Sequence, residues 1–224
     1  MNEHEMTGRC ADHIVQLNQP ACALHFQAVA SFQAMCDAAA TAGIVIQARS
    51  SFRSFDAQLQ IWNRKWRGER ALYSREGMSL DAAVLSPDER LEAILIWSAI
   101  PGGSRHHWGS DLDLMDAAAM PPGYQVQLTP AEYAAEGVFA RLSQWLDRHA
   151  AEFGFFRPYR RDRGGVSPEP WHLSYAPISM PAMEALSLAT LRRVLEDSEL
   201  EGKVQILARL PEIYTRFILN IDLP

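Results

Sequence analysis

The stretch Ser104-Arg105-His106-His107-Trp108-Gly109-Ser110-Asp111-Leu112-Asp113-Leu114 decides the reading of this chain. From Gly109 to Met115, small or polar residues alternate with apolar ones, the pattern of a half-buried strand. Asp111 and Asp113 then share one face, and Leu112 and Leu114 the other. His106 lies just before the strand. Gly109 lets the backbone turn, so that the histidine and an aspartate converge.

A second block, Glu169-Pro170-Trp171-His172-Leu173-Ser174-Tyr175, alternates from Trp171 onward, so His172 projects from a strand beside Ser174. Glu169 precedes a proline and is held extended, which separates this E-x-x-H from the helical H-E-x-x-H of other zinc proteases. Such a glutamate can stand beside a metal-activated water instead of binding the metal. Two imidazoles, a choice of carboxylates and one separate glutamate make the donor inventory of a catalytic zinc site. An iron triad uses the same ligand types, but the separate glutamate favours zinc hydrolysis.

At these residues the chain resembles a known family. The first block is similar to the S-x-H-x-x-G-x-A-x-D signature of the D-alanyl-D-alanine carboxypeptidases and dipeptidases that include the vancomycin-resistance enzymes, and the second to their E-x-W-H. Ser50-Ser51-Phe52-Arg53-Ser54-Phe55-Asp56-Ala57-Gln58 resembles their S-G-Y-R-S-x-x-x-Q segment. The resemblance implies His106, Asp113 and His172 as zinc ligands and Glu169 as general base. It implies Arg53 as the residue that contacts substrate and offsets the oxyanion, charge that a fixed guanidinium beside a metal neutralises. Asp111 stands where the pattern has alanine, which leaves an extra or exchanged carboxylate ligand open; the spacing from His106 favours Asp113. Ser104 is a candidate for a substrate hydrogen bond or for fixing the turn, and Gln58 faces either the site or solvent. Phe155-Phe156-Arg157-Pro158-Tyr159 is similar to a G-F-x-x-x-Y-P stretch, with the Tyr-Pro order not kept.

The remaining chain sets limits. Its 224 residues, 48% hydrophobic and 21% charged, suit one soluble domain with a real core. A formal charge of −6 excludes a nucleic-acid binder with a broad basic face. No apolar run reaches membrane-spanning length, and the polar start carries no signal-peptide core. The expectation is a cytoplasmic protein as written, periplasmic if it is exported by another route or trimmed. Three cysteines, Cys10, Cys22 and Cys36, read as reduced thiols.

Periodicity predicts a mobile start, a helix over 21–42 with Phe32, Met35 and Ala39 in its apolar stripe, and a strand over 44–51 that delivers Arg53. Ser54 caps the next helix, with Trp62 and Trp66 as packing residues. Residues 67–85 read as a loop. Ser86-Pro87-Asp88-Glu89 starts a helix lying under the sheet. A short strand over 125–128, a helix from Thr129, a stronger helical segment over 138–152 and a helical tail complete the chain. Arg157, Arg160, Arg161 and Arg163 form either a solvated loop or a basic rim for a carboxylate-bearing peptide.

The expected fold is α+β, of the Hedgehog/DD-peptidase type: a small antiparallel sheet carrying the zinc site, with helices packed against it. Residues 1–176 form the catalytic domain, and 177–224 a helical extension packed on it. The expected function is zinc-dependent hydrolysis of the terminal D-alanyl-D-alanine bond of peptidoglycan stem peptides or muropeptides. The alternatives are an endopeptidase or D,D-dipeptidase of the same chemistry, its pocket shaped by loops 67–85 and 157–168, or a non-catalytic zinc-binding module.

Overall fold

The computed structural model describes residues 1–224. The N-terminus is ordered, not mobile: Asn2 caps helix α1 (Glu3–Met6), and Glu5 returns a bond to the Asn2 amide at 2.6 Å. The indole of Trp108 donates to the Met6 carbonyl, which ties this turn to the histidine block. The helix expected from Ala21 begins only with α2 (Val29–Thr41), preceded by a hairpin of β1 (Ile14–Asn18) and β2 (Ala21–His25). Non-local bonds hold 21–25 extended. Beyond the β1 ladder, the Ala23 carbonyl accepts from the Phe52 amide, and the His25 amide donates to the Gly109 carbonyl at 2.8 Å. A helical-looking Ala-Cys-Ala-Leu-His is overridden by its neighbours.

Strand β3 (Ile46–Ser50) leads to α3 (Phe55–Trp66), where Ser54 accepts from the Ala57 amide as cap and Trp62 is fully buried packing. Within 67–85 the chain is not all loop, because β4 (Leu72–Tyr73) and β5 (Ser79–Leu80) pair as a small hairpin. The capping box at Ser86 and Glu89 starts α4 (Pro87–Leu95) as read. Its Leu91, Ile94 and Leu95 pack with Trp62 and the C-terminal helices rather than under the sheet.

After β6 (Asp111–Asp116), the expected strand over 125–128 is absent. The Gln127 amide instead donates to the Glu132 carboxylate, and Leu128 takes a left-handed φ of 55°. Helices α5 (Pro130–Tyr133) and α6 (Ala140–His149) follow, then β7 (Phe155–Phe156) and β8 (His172–Tyr175). The tail forms α7 (Ala176–Ala185), α8 (Leu188–Glu196) and α9 (Lys203–Ile213), closed by a π-helical turn over Tyr214–Ile218.

One antiparallel sheet, in the order β3-β6-β8-β7, organises the molecule. Leu112, Leu114 and Leu173 point from it into a core shared with Phe32 and Met35 of α2 and Leu142 and Leu146 of α6. Its opposite face carries Asp111, Asp113, His172 and Ser174. A larger core gathers α3, α4 and α7–α9, so the tail helices share buried apolar residues with the body of the protein. No helix is long and apolar enough to cross a membrane.

Candidate active site

Register assembles the site. In the β6–β8 ladder Asp113 pairs with His172 and Asp111 with Ser174, and on the other side Ser50 of β3 pairs with Asp113. The leucines between them face the core, so the polar residues are forced onto one face. His106 arrives from a tight 3-10 turn over Arg105–Trp108, which Gly109 ends at a left-handed φ of 65°. A β-carbon at Gly109 would lie 2.4 Å from the Ile14 side chain and 2.7 Å from the His25 amide, so both the conformation and the crowding require glycine.

One donor atom each from His106, Asp113 and His172 lies within 4.8 Å of the others, and all three residues are buried. His106 Nε2 is 3.4 Å from Asp113 Oδ2, and His172 Nδ1 is 3.2 Å from Asp113 Oδ1. Glu169 stands at the edge of this group, its Oε2 3.3 Å from His172 Nδ1. It lies outside any helix, as the proline predicts, held by its amide to the Tyr159 carbonyl. The Tyr159 ring meets His172 edge-on at 5.1 Å, and burial pushes its phenol up to about 12.

The hydrogen bonds select the ring nitrogens. His106 Nδ1 is 3.2 Å from the Asp111 carbonyl, which can only accept, so Nδ1 donates and Nε2 turns toward Asp113. His172 Nε2 donates to Asp111 Oδ2 at 2.8 Å, which turns Nδ1 toward Asp113 and Glu169. Both carboxylate oxygens of Asp111 are therefore engaged, and Asp111 lies outside the donor group of His106, Asp113 and His172. Its Oδ2 also takes Arg105 Nε at 2.8 Å, while its Oδ1 accepts from Ser110 at 2.6 Å and Ser174 at 2.9 Å. Burial raises the pKa of Asp111 and Asp113, but Arg105 with His172 for the first, and His106 with His172 for the second, hold both below the usual carboxylate range.

Arg53 follows β3. Its two terminal nitrogens donate to Gln58 Oε1 and Ser50 Oγ, each at 2.7 Å, and burial pulls its pKa down against the pull of Asp113 and Glu169. Gln58 is buried, and its amide nitrogen is spent on the Ala99 carbonyl. It is turned inward to Arg53, its oxygen accepting from the guanidinium while its nitrogen is anchored on Ala99. Ser104 is buried at the start of the turn, where its carbonyl accepts from the His107 amide. His107 turns away from the donor group to bridge the Arg53 carbonyl and the Gly102 amide. Three of the four rim arginines are paired, with two carboxylates between them: Arg157 bonds Asp147, while Arg161 and Arg163 share Asp222. Sequence reading missed the partnership of Arg105 with Asp111. The signal was there: an acidic residue departing from the motif, with an arginine six positions before it.

The chain matches the family described as VanY, D-alanyl-D-alanine carboxypeptidase, over residues 21–178. An uncharacterised Haemophilus influenzae protein is 32% identical over 122 residues, covering 54% of this chain and 93% of that one. Two solved structures share the fold, each with a TM-score of 0.53. One is a vancomycin-resistance D,D-pentapeptidase VanY variant in complex with Zn(II), 23% identical over 78% of this chain and 85% of its own. The other is VanYB in complex with D-alanine-D-alanine, 22% identical over 83% and 89%. Since the family match spans well over half of the sequence and contains all three motif blocks, the chain belongs to the D-alanyl-D-alanine carboxypeptidase family of peptidases.

Proposed function

We propose that this protein is a zinc-dependent carboxypeptidase that releases the terminal D-alanine of peptidoglycan stem peptides. The observation that carries the reading is the convergence of His106, Asp113 and His172 with a separate carboxylate, Glu169, 3.3 Å from the last of them. The donors fit the metal. Asp113 Oδ1 is buried without a hydrogen-bond partner, and each imidazole turns a nitrogen inward because its other nitrogen donates to Asp111. His106, Asp113 and His172 would hold zinc, which supplies a Lewis acid that lowers the pKa of water and polarises the scissile carbonyl.

The chain's own groups do the rest. Glu169 accepts the proton of the attacking water and returns it to the leaving amine. Arg53, fixed by Gln58 and Ser50 and free of any carboxylate partner, offsets the charge that grows on the carbonyl oxygen. Ser104 and Gln58 shape the approach, Gln58 by orienting Arg53. The solved complexes of the two structural relatives with Zn(II) and with D-alanine-D-alanine support the choice of metal and substrate.

The test is D-alanine release from a stem pentapeptide by the zinc-loaded wild type beside Glu169→Ala. Release should fall by roughly 100-fold or more in the variant while it still binds one zinc. Stoichiometric zinc without release by the wild type would move the protein to another substrate or to a binding role.

A further inference from the structure

Away from the active site, one other set of side chains brings metal-ligating atoms together. Glu5, Cys10 and His13 each offer one atom within 4.8 Å of the others. Local folding builds the group. The Arg9 and Cys10 amides both donate to the His4 carbonyl, at 2.7 and 3.3 Å, which folds Cys10 back over the end of α1, where Glu5 stands. Only two residues separate Cys10 from His13, and the Ile14 amide closes that turn on the Ala11 carbonyl at 3.0 Å. Cys10 is a free, half-buried thiol. Glu5 spends Oε2 on the Asn2 amide, which leaves Oε1 unspent.

The histidine is decisive. His13 is only 3% exposed, and its Nε2 lies 3.2 Å from the His107 carbonyl, which can only accept, so Nε2 carries the proton. In the neutral ring Nδ1 is then a bare acceptor, buried and without a hydrogen-bond partner. Its neighbours do not relieve it. His25, whose ring is 5.6 Å away, accepts the Gln27 amide at its own Nδ1, and Phe52 covers His13 edge-on at 5.8 Å. A buried lone pair left unmatched costs free energy. The one carboxylate oxygen in the same condition is Asp113 Oδ1, in the donor group of the active site.

A thiolate, an imidazole and a carboxylate suit a borderline-soft divalent cation such as zinc, whereas calcium and magnesium take oxygen donors. We propose that Cys10 Sγ, His13 Nδ1 and a Glu5 carboxylate oxygen bind a second zinc ion, with water completing its shell. The thiol gives up its proton on binding. The ion staples the N-terminal turn to the start of β1 and, through the bond from His13 to His107, to the turn that presents His106. This site is independent of the reaction proposed above.

The experiment titrates the reduced, metal-stripped, full-length protein with zinc and with cobalt(II), in wild type, Cys10→Ser, His13→Gln and Asp113→Asn. A thiolate bound to cobalt gives an intense near-ultraviolet charge-transfer band that imidazole and carboxylate ligands do not, so the band reports this site and not the active site. Wild type should take up two equivalents of zinc and show the band with cobalt. Cys10→Ser should lose one equivalent and the whole band. His13→Gln, which can still donate to the His107 carbonyl, should lose the same equivalent. Asp113→Asn should keep the band, so failure of the carboxypeptidase reading leaves this result untouched. A wild type that saturates with cobalt without the band overturns the site. So does a band that survives Cys10→Ser, which would belong to another thiol, or one that keeps its full strength in His13→Gln.

Discussion

At the scale of single residues, the decisive one is Asp111. It shares a strand face with Asp113, so spacing alone leaves both as ligands, and only the contacts separate them. Asp113 meets the two inward nitrogens, while Asp111 is filled by Arg105, Ser110, Ser174 and the far side of His172. The pair Arg105–Asp111 is almost wholly buried, so neither charge can be lost alone without stranding the other. Asp111→Asn should therefore destabilise the protein by about 3–5 kcal/mol. It should also weaken zinc by about 10–100-fold, since His172 loses the acceptor that orients it. Denaturant melts and zinc titration measure the two separately. Combining Arg105→Leu with Asp111→Ala should recover most of the stability and none of the zinc affinity. Recovery of both together would mean that Asp111 balances charge and orients nothing.

At the scale of elements, the turn over Arg105–Trp108 brings His106 to the strand pair that carries Asp113 and His172, and His107 locks it. One ring nitrogen donates to the Arg53 carbonyl at 2.6 Å and the other accepts from the Gly102 amide at 3.0 Å, an arrangement open only to a neutral imidazole. Burial pushes His107 down to about 3, and burial together with His13 brings His25 to about 4, from an ordinary 6.5. The unfolded chain therefore binds more protons than the folded one as pH falls below 6.5, and stability must drop through that window. Melting temperature should decline from pH 6.5 toward 4, less steeply in His107→Asn; a flat profile for wild type would refute the assignment. Local signals made much of this legible, because the capping residues Ser54 and Ser86, the alternation around Asp113 and the proline after Glu169 act within a few residues. What was not legible depends on distant partners. The strand at 21–25 exists because β1, Phe52 and Gly109 satisfy its backbone, and 125–128 is not a strand because Glu132 captures its amide.

At the scale of the whole molecule, the tail explains how a loop can hold Glu169, the proposed general base, in place. The family match ends at residue 178, yet the chain beyond it closes back on the segment leading to Glu169. The Asp222 amide donates to the Pro158 carbonyl at 2.8 Å, and its carboxylate takes the Arg161 amide at 3.0 Å and the Arg161 guanidinium at 2.6 Å. Arg216 reaches the Gly164 carbonyl at 2.6 Å, and Asn220 the Arg163 carbonyl at 2.8 Å. Periodicity shows that the tail is helical, but nothing in its spacing shows which loop it meets. The adjoining Tyr159 carbonyl holds the amide of Glu169, so slack in the loop is passed to the base. Partly exposed, these contacts are worth only about 1 kcal/mol each in global stability, but misplacing a base by a fraction of an ångström is felt in rate. Asp222→Asn should leave the melting temperature within a few degrees of wild type and zinc binding unchanged. Amide exchange should quicken over 158–165, and kcat should fall several-fold with a smaller change in KM. Faster exchange without loss of kcat would show that the tail steadies the loop but not the glutamate.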